Sequence, residues 1–165
     1  MLSKETITTT NNFMKSMEFV SKWEGGFSND KVDLGGKTKY GISDNADGTI
    51  DGLINGKIKV EELTREEALK IYYDNYWLPS GASGLPLEYA LVIFDTAVNC
   101  GVSRAKAIDR VAKGDPYKYI VERISFYTNL IDKKPALRKF YKGWINRCTD
   151  LKKYVDVLRL GNGSV

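Results

Sequence analysis

The run from Tyr89 to Gly101, Tyr-Ala-Leu-Val-Ile-Phe-Asp-Thr-Ala-Val-Asn-Cys-Gly, is apolar nearly all the way round a helix. A helix with one apolar stripe lies on a surface, whereas one that is apolar on most sides needs cover on most sides. This segment therefore reads as the central helix of an α-helical core, and the rest of the chain as what encloses it.

The enclosing segments carry their own start and stop signals. Asn11 or Asn12 is placed to cap a first helix running to about Trp23. A glycine-rich polar stretch from Gly25 to about Gly56 contains short segments, Lys39-Tyr40-Gly41-Ile42 and Gly48-Thr49-Ile50, and reads as loops with a small antiparallel sheet. Thr64-Arg65-Glu66-Glu67 is a capping box that opens a helix through Ala68, Ile71 and Tyr72 toward Trp77, with Pro79 ending it. Ser103 caps a short helix to Lys113. Asp115-Pro116 supplies a cap and a first-turn proline for a helix through Ile120, Ile124 and Leu130. Pro135 opens the last helix, through Phe140, Trp144, Ile145 and Leu151. The expected fold class is α+β, mainly α, with a helical core and one small antiparallel sheet. With 165 residues and no internal repeat or low-complexity linker, a single domain spanning 1–165 is expected.

One carboxylate stands in an unusual place. Phe13, Met17, Val20 and Glu24 fall at i, i+4, i+7 and i+11, a single narrow face of the first helix. A solvated glutamate would sit opposite that stripe, so Glu24 points toward the core or a cleft. Partial burial and the negative end of the helix macrodipole both disfavour a charged carboxylate there, which is the environment a general acid requires. Gly25 and Gly26 follow as a left-handed stop.

Composition narrows the chemistry further. The chain has no histidine, which excludes Ser-His and Cys-His nucleophile systems and most zinc sites, and leaves carboxylates as the best proton-transfer groups. No cofactor and no metal site is expected. Cys100 and Cys148 lack metal-type spacing and lie in helix-like segments, so buried thiols are expected rather than a disulfide. The net charge of +4 suits an anionic polymer such as nucleic acid or cell wall, but the basic residues read as scattered and no arginine-rich helix or stacking sheet is present, so nucleic acid is not the expected partner. No stretch of about 18 apolar residues exists. The first residues, Met1 to Ile7, lack an apolar signal-peptide core, so no conventional export signal is expected.

Downstream of Glu24, Asp33 sits among glycines and polar residues, where backbone amides and water keep a carboxylate ionised. Two carboxylates in contrasting environments separate an acid from a base. Thr38, five residues beyond Asp33, offers a hydroxyl able to hold a water. Spacing alone is weak support, because a chain with 21 acidic residues contains many such pairs and glycine-rich stretches are usually turns.

The segment Glu24-Gly25-Gly26-Phe27, Asn29-Asp30, Asp33-Leu34-Gly35-Gly36-Lys37-Thr38 and Gly41-Ile42 resembles the signature of the lysozyme-like muramidases of glycoside hydrolase family 108, often phage endolysins. Ile71-Tyr72 with Tyr76-Trp77, and Phe94-Asp95 with Ala97-Val98-Asn99 and Gly101, extend the resemblance. Lys142-Gly143-Trp144 with Asn146-Arg147 resembles the family's C-terminal helix, and the helices from about residue 95 resemble its peptidoglycan-binding segment. Asp-Leu-Gly-Gly stands where Asp-Pro-Gly-Gly is commoner, and residues 44 to 60 diverge from the pattern.

The resemblance implies a lysozyme-like fold with the sheet beside an active-site cleft. It also implies hydrolysis of the β-1,4 bond between N-acetylmuramic acid and N-acetylglucosamine of peptidoglycan glycan strands by a monomer. Glu24 is then the catalytic acid. A looser similarity to phage-type lysozymes makes Asp33 the base and Thr38 the residue that positions water, with Asp30 competing with Asp33. A lytic transglycosylase using Glu24 alone and a non-catalytic wall-binding module are the alternatives. Lacking a signal peptide, an endolysin of this type is expected in the host cytoplasm until it is released to the cell wall or periplasm.

Further residues have two readings each. Asp95 and Asn99, at i and i+4 of the central helix, either line the cleft and bind sugar or satisfy buried partners. Tyr72, Tyr73, Tyr76 and Trp77 form either a sugar platform or core, and Tyr40 is the better sugar contact. The residues around Asp47-Gly48-Thr49-Ile50 faintly follow a calcium-loop register starting at Ser43 but lack the bidentate glutamate that belongs at its twelfth position, so a polar turn is expected.

Overall fold

The computed structural model describes residues 3–25, 38–40, 42–43 and 60–162. Asp30, Asp33, the Gly48-Thr49-Ile50 segment and most of the weak calcium-loop register lie outside them.

At the centre is the helix that the all-round apolar run predicts, α4 (Leu87–Cys100), in which every residue from Tyr89 to Ala97 is buried. Its cover comes from α1 (Lys4–Glu24), α5 (Val102–Ala112), α6 (Pro116–Lys133) and α7 (Arg138–Asn162). Phe13, Met17, Phe19 and Val20 of α1 lie in the core. Phe13 meets Phe94 of α4, and Phe19 meets Tyr154 of α7 edge-on at 5.0 Å.

The caps show where local chemistry decided. Thr64 and Glu67 form the expected capping box, reciprocally bonded, at the head of α2 (Arg65–Tyr72). Asp115 caps α6 by accepting from the amides of Tyr117 and Lys118, with Pro116 in the first turn. At α1 the expectation fails: the cap is Ser3, which accepts from Thr6, and the helix runs straight through Asn11 and Asn12. Thr8 and Thr10 donate their hydroxyls to the carbonyls four residues back, which satisfies these side chains within the helix. Gly101, not Ser103, precedes α5, and Pro135 opens a short 3-10 turn, Pro135–Leu137, before α7 begins.

Pro79 does not stop its helix where expected. After α2 the backbone widens into a π-helical turn, Tyr73–Trp77, and resumes as the one-turn α3 (Leu78–Ser80), ending at Gly81 with φ 85°. Proline has no N–H and its ring clashes with the carbonyl four residues back, and the backbone widens in the turn just before it, where that carbonyl lies.

The α+β expectation is corrected. The protein is mainly α, and what was read as a small sheet beside the cleft is no sheet layer. Extended backbone among the described residues amounts to two-residue segments, β1 (Thr38–Lys39) and β2 (Ile42–Ser43), which pair Thr38 with Ser43 and Lys39 with Ile42 across one tight turn. Glycines that mark turns say little about whether long strands flank them, which is why the glycine-rich stretch was over-read. The hairpin is fixed from below, where the Tyr72 hydroxyl donates to the Tyr40 carbonyl at 2.7 Å.

Candidate active site

Glu24 is the last residue of α1, and Gly25 follows with φ 74° and ψ −165°, a backbone region that is essentially glycine's alone. The turn of chain direction there sets the Glu24 side chain at the edge of the core with 21% of its surface exposed. Phe13, Met17 and Val20, which share its face, are all buried, so Glu24 ends the buried stripe of α1.

That argument lacked a counter-charge. Arg147 of α7 donates from Nη1 to Glu24 Oε1 at 2.9 Å. The same guanidinium donates from Nη2 to Asp95 Oδ1 at 2.7 Å and from Nε to both Asp95 oxygens at 3.2 Å. Arg123 of α6 approaches Asp95 from the other side, Nη1 to Oδ2 at 2.7 Å, and also donates to Thr96 Oγ1 and Asn99 Oδ1 at 3.1 Å each. Glu24, Asp95, Arg123 and Arg147 therefore form one hydrogen-bonded cluster, and polar groups survive burial when they are partnered in this way.

Asp95 is fully buried. Burial alone would push its carboxyl up, but Arg123 and then Arg147, by charge and by hydrogen bonds, hold it below the usual carboxylate range. For Arg123, burial pulls down and the charge of Asp95 more than restores it, so it stays firmly cationic. Asp95 is thus the keystone of the cluster and not a sugar contact; the cleft-lining expectation for it is corrected, because both of its oxygens are taken inside the protein. Asn99 is half-buried, and its side-chain oxygen is committed to Arg123, to the Tyr127 hydroxyl and to the Cys100 thiol. Cys100 and Cys148 are both free thiols, and burial pushes the Cys148 thiol up.

A second tie joins the end of α1 to α7. Trp23 Nε1 and Lys22 Nζ both donate to Asp150 Oδ2, at 2.8 and 2.7 Å. Arg147 and Asp150 stand three apart on α7, so one helical face grips the three residues that lead into the turn.

A small cavity of about 50 Å3 is lined by Met17, Ser21, Gly25, Tyr40, Arg65 and Tyr72, among others, and so reaches the residue that follows Glu24 rather than Glu24 itself. Tyr40, with φ 53° at the hairpin turn, is half-buried and lines this cavity. Tyr72 and Trp77 are core, while Tyr73 and Tyr76 are half-buried. Burial and then the nearby charge of Glu24 raise the Tyr72 and Tyr76 hydroxyls above their ordinary range, so both remain proton donors. Thr38 is placed by its backbone in β1, two residues before Tyr40, and Asp33 and Asp30 lie outside the described residues. A roomier concavity, about 340 Å3, lies between α5 and α6, and none of its lining residues belongs to the Glu24 cluster.

Arg123 was missed, and Arg147 was noted only as part of a motif. The signal was nevertheless present: Arg123 lies on the buried stripe of Tyr119, Ile120 and Tyr127, and Arg147 beside Cys148 and Leu151, just as Glu24 lies on the stripe of α1. A charge on an apolar face calls for an opposite charge on another.

The helical body defines a known fold: the solved structure of Brucella abortus SagA superposes with a TM-score of 0.69, covering 90% of this chain and 95% of that one at 23% identity. The sequence profile of the family described as Glycosyl hydrolase 108 matches residues 17–101, just over half of the chain, and the chain belongs to that family. It is therefore a glycoside hydrolase, and the family points to peptidoglycan hydrolysis of the lysozyme kind. No curated protein matches the chain. Glu24, Tyr40, Asp95 and Asn99 fall inside the matched span, whereas Arg123 and Arg147 lie beyond it.

Proposed function

We propose that the protein is an N-acetylmuramidase that cleaves the β-1,4 bond between N-acetylmuramic acid and N-acetylglucosamine, acting as a phage endolysin in host-cell lysis. The observation that carries this reading is the setting of Glu24: a carboxylate at a helix end, partly open to solvent and steered by a buried arginine.

In this mechanism Arg147 occupies Oε1 of Glu24 and leaves Oε2 to carry the proton toward the leaving glycosidic oxygen. Protonating that oxygen lets the bond break as positive charge develops on the sugar ring. Asp33 takes a proton from the attacking water, which Thr38 positions, and attack from the opposite face inverts the anomeric centre. Tyr40 contacts the sugar beside the bond. An enzyme of this kind is held in the host cytoplasm until a separate membrane lesion gives it access to the wall.

The test is digestion of purified walls by the wild type and Glu24→Gln, with product ends read by mass spectrometry. Reducing N-acetylmuramic acid ends from the wild type, and none from Glu24→Gln although it still folds, support the reading. Anhydromuramyl ends assign a transglycosylase instead, and wall binding with no cleavage by either protein assigns a binding module.

A further inference from the structure

The overall charge of +4 hides an asymmetry. Residues 1–100 carry 10 basic and 15 acidic side chains, whereas residues 101–165 carry 15 basic and 6 acidic. The basic excess is densest in Lys133-Lys134-Pro135-Ala136-Leu137-Arg138-Lys139-Phe140-Tyr141-Lys142, which has five cations and no acid. All five are exposed, and none forms an ion pair among the described residues. This segment is the corner where α6 ends, the 3-10 turn Pro135–Leu137 crosses over, and α7 begins.

An apolar side chain emerges from the same corner. Phe140, Trp144, Arg147 and Leu151 lie at i, i+4, i+7 and i+11 on α7, the face that enters the core. Leu151 and Arg147 are buried and Trp144 is half-buried, but Phe140 is 48% exposed. Its ring stacks on Trp144 at 6.0 Å, which stacks on Tyr127 at 4.8 Å, so Phe140 is braced outward by a ladder of rings rooted in the core. Lys139 Nζ lies 5.1 Å from the Phe140 ring centre.

We infer that this corner docks on an anionic phospholipid surface. Unpaired cations alone would suit any phosphate-bearing polymer. A phosphate polymer with no ring to stack, however, leaves a braced, exposed phenylalanine without a partner, whereas a bilayer interface takes both groups: headgroup phosphates meet the cations, and the ring enters the boundary between headgroups and acyl chains. The inference needs no glycan chemistry and holds whatever Glu24 does.

The test is co-sedimentation of the full chain with vesicles of phosphatidylglycerol and phosphatidylethanolamine, against vesicles of phosphatidylcholine alone. Binding to the anionic vesicles that weakens with salt is expected, with little binding to the neutral ones. Each cation near the surface contributes about fivefold in partitioning, so Lys139→Glu with Lys142→Glu should lower it by at least about 25-fold. Phe140→Ser should lower it as well, and Glu24→Gln should leave it unchanged, with circular dichroism verifying that each variant is folded. Failure to bind anionic vesicles, or binding insensitive to both surface variants, overturns the inference. So does a corner that binds polyphosphate as tightly as vesicles with Phe140→Ser silent, which would assign the patch to a polyanion.

Discussion

Arg147 and Glu24, 123 residues apart in the chain, are joined by a hydrogen bond of 2.9 Å between Nη1 and Oε1. The guanidinium that makes it is itself fixed by Asp95, so the orientation of the proposed acid is set by the buried centre of the protein. A lysine at 147 would keep the charge but not the planar fork that spans two carboxylates. Arg147→Lys is expected to fold and to lose activity on the order of 100-fold, the scale of a small misplacement of a catalytic group. Steady-state wall-lysis kinetics should show the loss in kcat more than in KM, and an unchanged kcat would sever Arg147 from catalysis.

Asp95 bears the greater structural burden. Removing one partner of a buried ion pair leaves an uncompensated charge and costs about 3–5 kcal/mol. Asp95→Ala would leave Arg123, itself 0% exposed, without its carboxylate. Urea titration should show a loss of that size. The solvent-facing Lys70–Asp74 pair, with side chains 49% and 41% exposed, offers the contrast: Asp74→Ala should shift stability by no more than about 0.5 kcal/mol.

The same carboxylate predicts how stability responds to acid. Its folded proton affinity is depressed below the ordinary value of 3.8, so its contribution is fully present above that pH. As pH falls below 3.8 the unfolded chain takes up the proton first, and the contribution is lost as pH passes down through the lower folded value. Urea midpoints measured from neutral pH into acid should therefore fall more steeply below pH 3.8 for the wild type than for Asp95→Asn. Parallel curves for the two proteins would show that Asp95 is not the group responsible.

Much of this organisation was legible in the sequence. Residues 89–101 declared the central helix because periodicity reports burial directly, and Thr64 with Glu67, and Asp115 with Pro116, marked helix starts through local hydrogen bonding. Glu24 was visible as a charge on an apolar stripe. What stayed hidden was partnership. Nothing in the local chemistry of α1 names Arg147, because that contact exists only once α1 and α7 are packed, and the two readings of Asp95 separate only when two arginines from different helices are brought onto it. The sheet was over-read for the related reason that glycines announce turns without announcing the strands beside them.

Two glycines should respond oppositely to the same substitution. Gly25, directly after Glu24, has φ 74° and ψ −165°, and a Cβ there would meet no atom within 4 Å. The cost of Gly25→Ala is therefore backbone strain rather than a clash, about 1–3 kcal/mol. The chain can escape it only by moving the end of α1 that carries Glu24, so activity should fall along with stability. Gly143, inside α7, likewise has open space around a Cβ but an ordinary helical backbone. Gly143→Ala should stabilise by about 0.5–1 kcal/mol through helix propensity and leave activity unchanged. Thermal melts paired with wall-lysis assays on the two variants test both signs together. A Gly25→Ala protein as stable and as active as the wild type would mean that the turn after Glu24 does not hold the acid in place.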